Sequence, residues 1–238
     1  MKFKCRFFGA FTLFAILVAF CSHASARQIL IEVYGDSTTE GWTVKAGTGS
    51  RSARNEPAIL QSKLQSAFGN DIYVANYGIG GTEASNLLNG TGAVTVPWSR
   101  RMATSTAQIV MVNFGQNDAL YANVSKPKAT PETPDDYARV MSEIVTIARA
   151  AGKIVVIEEP NPSCMTIRAR ALPAYVEKLK DVARQQNVPL VAQHDYIQSR
   201  SDWMSLLSDC VHPTEALYEL KAQKSLDVLA PIVETLLH

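Results

Sequence analysis

Five short apolar runs, rich in Val and Ile, are spaced along most of the chain: residues 28–34 (QILIEVY), 72–76 (IYVAN), 108–114 (QIVMVNF), 153–157 (KIVVI) and 188–192 (VPLVA). Branched and aromatic side chains of this kind pack well on a pleated surface, so each run predicts a strand. Between the runs the spacing changes. Residues 57–68, 134–151 and 169–186 carry apolar side chains three and four positions apart, the repeat of one helix face. The final segment, 213–237, does the same, with Pro213 suited to a first helical position. Near-continuous apolar strands alternating with helices predict a parallel sheet covered on both faces, because each crossover lays a helix against the sheet. The expected fold is therefore a single α/β domain in three layers. No internal repeat or low-complexity block interrupts it.

The first 26 residues follow neither period. Lys2, Lys4 and Arg6 precede an apolar run at 7–20, which ends before the small-residue site Ala24-Ser25-Ala26. That run is shorter than the roughly 20 residues a helix needs to span a bilayer. The pattern predicts a secretory signal peptide, residues 1–26, cut after Ala26, and a domain over 27–238 that is secreted or periplasmic and not inserted in the membrane. The full length of 238 residues suits one domain, and 47% hydrophobic against 19% charged residues excludes a disordered chain. A net charge of +1 without a basic stripe gives no case for a nucleic-acid partner. Cleavage would remove Cys5 and Cys21 and leave Cys164 and Cys210. In an oxidising compartment these two suit a disulfide that tethers segment 209–212; two separate buried thiols are the other reading.

In open α/β sheets ligands bind outside the carboxyl ends of the strands, so the residues just after each strand carry the functional argument. The first strand is followed by Gly35-Asp36-Ser37, the second by Asn76-Tyr77-Gly78-Ile79-Gly80-Gly81-Thr82, and the third by Gly115-Gln116-Asn117-Asp118. Asp209-Cys210-Val211-His212 stands just before the last helix. Each block alone reads more readily as a turn or a helix cap. Together they supply a hydroxyl nucleophile, donors for a developing oxyanion, and an imidazole with a carboxylate three residues away to orient it, the roles acyl transfer requires. Zinc-ligand spacing of the H-E-x-x-H kind is missing, and so is the G-x-S-x-G elbow of another serine hydrolase fold. Trp42, Trp98, Arg100 and Arg101 fall in long connections and could either line a pocket or pack on the domain.

These four blocks, in this order, resemble those of the SGNH hydrolases, also called the GDSL esterase/lipase family, across essentially all of 27–238. Thr38 stands where the name-giving Leu would be. The resemblance implies a flavodoxin-like α/β/α sandwich with a five-stranded parallel sheet in the order 2-1-3-4-5. It also implies hydrolysis of esters or thioesters by a triad of Ser37, His212 and Asp209. The oxyanion would be met by the backbone N–H of Ser37, a glycine N–H and the side chain of Asn117; spacing from Asn76 points to Gly81, with Gly80 the adjacent alternative. Neither a metal nor an organic cofactor is implied. The expected partner is a small-molecule or glycan ester, and the expected state a monomer. The alternatives are a periplasmic O-acyltransferase or deacetylase acting on glycans, and a glycan-binding module without catalysis.

Overall fold

The computed structural model describes residues 28–128 and 130–238. The expected signal peptide lies outside the described residues. From the N-terminal side the chain forms β1 (Ile29–Gly35), α1 (Ser37–Glu40), a hairpin of β2 (Trp42–Lys45) and β3 (Thr48–Arg51), α2 (Glu56–Phe68), β4 (Ile72–Gly78), α3 (Ala84–Asn89) and α4 (Trp98–Thr104). It continues through β5 (Ile109–Asn113), α5 (Gln116–Tyr121), α6 (Pro134–Ala150), β6 (Ile154–Glu158), α7 (Thr166–Gln186), β7 (Leu190–Val191), α8 (His194–Gln198) and α9 (Glu215–Leu237). The main sheet has five strands, all parallel, in the order β4-β1-β5-β6-β7. Counted along the sheet strands alone this is 2-1-3-4-5, the order the resemblance implies.

Alternation along each strand sends neighbouring side chains to opposite faces. In β5, Val110 and Val112 join the core formed with Trp98, Met141, Ile144 and Leu179, on the face covered by α3, α4, α6 and α7. Ile109 and Met111 join the other core, with Ile59, Leu64, Tyr218 and Leu229 from α2 and α9. All of β5 is buried, which is why it reads as an unbroken apolar run. The strand order reverses at β1, so the connections leaving β1 and β5 diverge and open a crevice at the carboxyl edge.

Two connections differ from their sequence expectation. The long connection that holds Trp42 forms the β2–β3 hairpin, which turns through Ala46 and Gly47 at φ of 50° and 77°. Its strands are short and mostly exposed, so no apolar pattern announces them. Tertiary bonds secure it: Tyr218 Oη donates to the Trp42 carbonyl at 2.8 Å and the Val44 N–H donates to Ser208 Oγ at 3.0 Å. In 89–101 the chain starts α4, and Trp98 is fully buried, its indole N–H donating to the Ile144 carbonyl at 2.9 Å. Trp98 therefore belongs to the core. Arg101 lies over the Tyr34 and Tyr77 rings, so it also packs on the domain. Among the described residues no helix is long and apolar enough to cross a membrane.

Candidate active site

Gly35 closes β1, and Asp36 caps α1: its Oδ1 accepts both the N–H and the hydroxyl of Thr38 at 2.8 Å. The cap begins the helix at Ser37, beside the crevice. Gly41 ends it one turn later at φ 102°. Gly78 lets β4 run directly under this helix, since a Cβ there would sit 2.2 Å from the Glu40 nitrogen. Asn76 ties the two together, donating to the Thr39 carbonyl and accepting the Gly78 N–H, both at 2.9 Å.

Ser37 Oγ lies 2.9 Å from Nε2 of His212, and the other ring nitrogen, Nδ1, lies 2.7 Å from Asp209 Oδ2. The second oxygen of Asp209 accepts the N–H groups of Val211 at 3.1 Å and His212 at 2.8 Å. Partial burial opposes the charge on Asp209, but these hydrogen bonds outweigh it and hold the carboxyl below the usual carboxylate range. An ionised Asp209 fixes Nδ1 as the protonated nitrogen and leaves Nε2 free to accept the Ser37 proton. The loop carrying both residues is held from behind. Cys164 and Cys210 are joined by a disulfide, Ser163 Oγ donates to the Cys210 carbonyl at 2.7 Å, and Asn161 Nδ2 donates to the Val211 carbonyl at 3.0 Å.

The glycine turn after β4 and the start of α5 share the cavity with Ser37. The Gly80 N–H is donated to Glu40 Oε2 at 2.8 Å, while the other Glu40 oxygen pairs with Arg51. The Gly81 N–H meets no acceptor among the described residues, and Gly81 sits at φ 78°. Of the two adjacent glycines, Gly81 is thus the one with a free donor. Asn117 donates one Nδ2 hydrogen to the Thr82 carbonyl at 2.9 Å and keeps the second. Its neighbour Asp118 accepts the N–H of Gly115 and of Ala84, both at 2.9 Å, which joins this turn to α3.

Ser37, His212, Gly80, Gly81 and Asn117 line a cavity of about 310 Å³, bordered also by Trp42, Glu40 and Arg168. Neither Glu40 nor Arg168 belongs to any of the four sequence blocks. Of Trp42 and Trp98, only Trp42, at the start of β2, reaches the cavity, and it is 37% exposed. Among the described residues no group of three or more His, Cys, Asp or Glu is placed to hold a metal ion. A hydroxyl against an imidazole, in a cavity lined by Gly81 and Asn117 with N–H hydrogens unpaired among the described residues, can pass a proton from a nucleophile and receive a developing oxyanion.

Residues 33–220 match the model of the GDSL-like lipase/acylhydrolase family. The chain belongs to that family. This GDSL-like protein is accordingly a hydrolase acting on ester bonds. None of the curated proteins matches it in sequence. Solved structures share its fold. LAE5, an α/β hydrolase enzyme from the metagenome of Lake Arreo, Spain, is 19% identical, with 86% of this chain and 96% of that one covered at a TM-score of 0.68. A catalytic mutant of Axe2, an acetylxylan esterase from Geobacillus stearothermophilus, is 20% identical over 84% of this chain and 94% of that one, with a TM-score of 0.65. The lipase/acylhydrolase from Enterococcus faecalis is 17% identical over 84% and 95% respectively, with a TM-score of 0.61. At these identities the likeness speaks for the architecture of the GDSL-like chain and not for its substrate.

Proposed function

We propose that the protein is a serine esterase that cleaves acyl esters or thioesters through Ser37, His212 and Asp209. The observation that carries this reading is the relay in which Ser37 Oγ, 2.9 Å from His212 Nε2, is followed by His212 Nδ1 at 2.7 Å from Asp209. Ser37 Oγ attacks the acyl carbon while its proton passes to Nε2. The carbonyl π electrons move onto oxygen, where the N–H groups of Ser37, Gly81 and Asn117 receive the negative charge. When the tetrahedral centre collapses, the bond to the leaving oxygen or sulfur breaks, and that atom takes the proton from Nε2. Water then attacks the acyl-serine, gives its proton to the same nitrogen, and the Ser37 oxygen leaves with that proton as the acid is released.

Residues 1–26 complete the proposal as a signal for export, which would put the enzyme outside the cytoplasm. An acylated glycan is the second reading of the substrate, favoured by the exposed Trp42 ring at the cavity, since an aromatic face stacks on a sugar ring. Transfer of the acyl group to a glycan hydroxyl would differ from hydrolysis only in the acceptor and is told apart by its product.

The test is hydrolysis of p-nitrophenyl esters of increasing acyl length by the wild-type chain and by Ser37→Ala. The variant should lose at least about 10³-fold in kcat/KM on every ester the parent accepts. A Ser37→Ala protein that retains more than a tenth of the parent activity would overturn the mechanism.

A further inference from the structure

Helix α7 buries Leu172, Tyr175, Val176 and Leu179 at helical spacing, and the same stripe begins one turn earlier with Arg168. A cation in such a position is costly unless its donors are used, because burial strips away its water. Arg168 is only 7% exposed, yet no carboxylate among the described residues forms an ion pair with it. Its hydrogen bonds run to the Gln116 carbonyl from Nε at 3.0 Å, to Met165 Sδ from Nη1 at 3.0 Å, and to Asn117 Oδ1 from Nη2 at 3.2 Å. The same side chain borders the cavity that contains Ser37 and His212.

The bond to Asn117 has a consequence for chemistry. The two ends of a carboxamide have nearly the same shape, so only their partners decide which way the group faces. A guanidinium offers donors alone and therefore engages the oxygen end. The Thr82 carbonyl accepts from the nitrogen end at 2.9 Å, and the second hydrogen on that nitrogen has no acceptor among the described residues. A positive charge on the oxygen end also draws electron density from the nitrogen and sharpens its N–H as a donor.

We infer that Arg168 is a positioning residue for ester hydrolysis: it holds the Asn117 amide with its N–H end turned toward the oxyanion and strengthens that donor. The inference rests on the reading of Asn117 as an oxyanion donor given above. A cation that instead captured a carboxylate on the substrate would act on binding and only with anionic esters.

Steady-state kinetics on p-nitrophenyl acetate, with Arg168→Met, Asn117→Ala, the double variant and Ser37→Ala, separate these roles. Arg168→Met should lower kcat about 10- to 100-fold with KM within about threefold, somewhat less than loss of a whole donor. In the Asn117→Ala background the same change should cost no more than about a further twofold, since the two act as one unit. Arg168→Lys, which keeps the charge without the forked donors, should fall between. An equal fold-loss in both backgrounds would overturn the inference, as would a kcat within twofold of the parent. So would a KM increase confined to an ester bearing a free carboxylate. If melting curves show Arg168→Met to be unfolded, Arg168→Lys with and without Asn117→Ala makes the same comparison. Activity lost in Ser37→Ala and Asn117→Ala but kept in Arg168→Met defeats this inference alone. Full activity in Ser37→Ala defeats the esterase mechanism and the inference with it.

Discussion

Gly81 owes its identity to conformation and not to space. A Cβ added there would meet only Tyr121 Oη, at 3.8 Å, but the backbone φ of 78° is one that an L side chain adopts at a penalty of about 1–2 kcal/mol. On the proposed reading of Gly81 as an oxyanion donor, Gly81→Ala should cost little in packing yet reduce kcat/KM by about tenfold or more, because the strained backbone displaces its N–H. Parallel thermal melts and ester kinetics check it: a large drop in melting temperature with unchanged kinetics would point to a structural role only. The neighbouring Gly80 is limited in another way, since its Cβ would approach Glu40 Oε2 at 2.8 Å. Ser37, Asn117, Asp209 and His212 could be read in the sequence because each stands inside a short block whose neighbours explain it. Glu40 and Arg168 could not be read with the same ease. The one trace of Arg168 is a charge at a position of the α7 stripe that is otherwise apolar, and among the several arginines of that helix only burial distinguishes it.

At the scale of elements, the site is a set of strand ends plus one stapled loop. The disulfide between Cys164 and Cys210 encloses a sequence separation of 46 residues, and in the chain-entropy view such a crosslink stabilises by about 4 kcal/mol. Yet it is not alone in holding the loop, because Ser163 and Asn161 also bind its carbonyls and the Cys164 N–H donates to the Cys210 carbonyl at 3.0 Å. The double variant Cys164→Ser/Cys210→Ser should thus lose several kcal/mol of stability while retaining kcat within about tenfold at 25 °C. Denaturant titration and kinetics on the same sample check this, and a stable but inactive variant would show that the crosslink itself aligns His212. The hairpin of β2 and β3 illustrates the limit of pattern reading. Its residues alternate weakly, and it is secured by Tyr218 and Ser208, which lie far along the chain.

Across the whole molecule, the interior beside the glycine turn after β4 is acidic. Glu83, Asp118 and Glu132 are buried, and neither carboxyl oxygen of Glu83 finds a hydrogen-bond partner among the described residues. Burial, and then the nearby Glu132, push the Glu83 carboxyl up to about 8 from an ordinary 4.5. The folded protein then keeps a proton that the unfolded chain has already released, so the stability linked to Glu83 falls as pH rises from about 4.5 to about 8. Glu83→Gln should melt close to the parent at pH 4.5 and increasingly above it up to pH 8, with a constant gain beyond. Thermal melts over that range test the sign, and a pH-independent difference would refute the linkage. The layered fold could be deduced from sequence because strand and helix periods are local, expressed in residues two to four positions apart. The motif blocks were legible for the same reason, each being a few contiguous residues whose backbone demands are their own. Tertiary structure decided what depends on distance between elements: that Glu40 occupies the Gly80 N–H and leaves Gly81 free, that Cys164 meets Cys210, and that a buried Arg168 faces Asn117. A linear order carries no such distances. They arise only when two cores, one on each face of the sheet, bring remote side chains within reach.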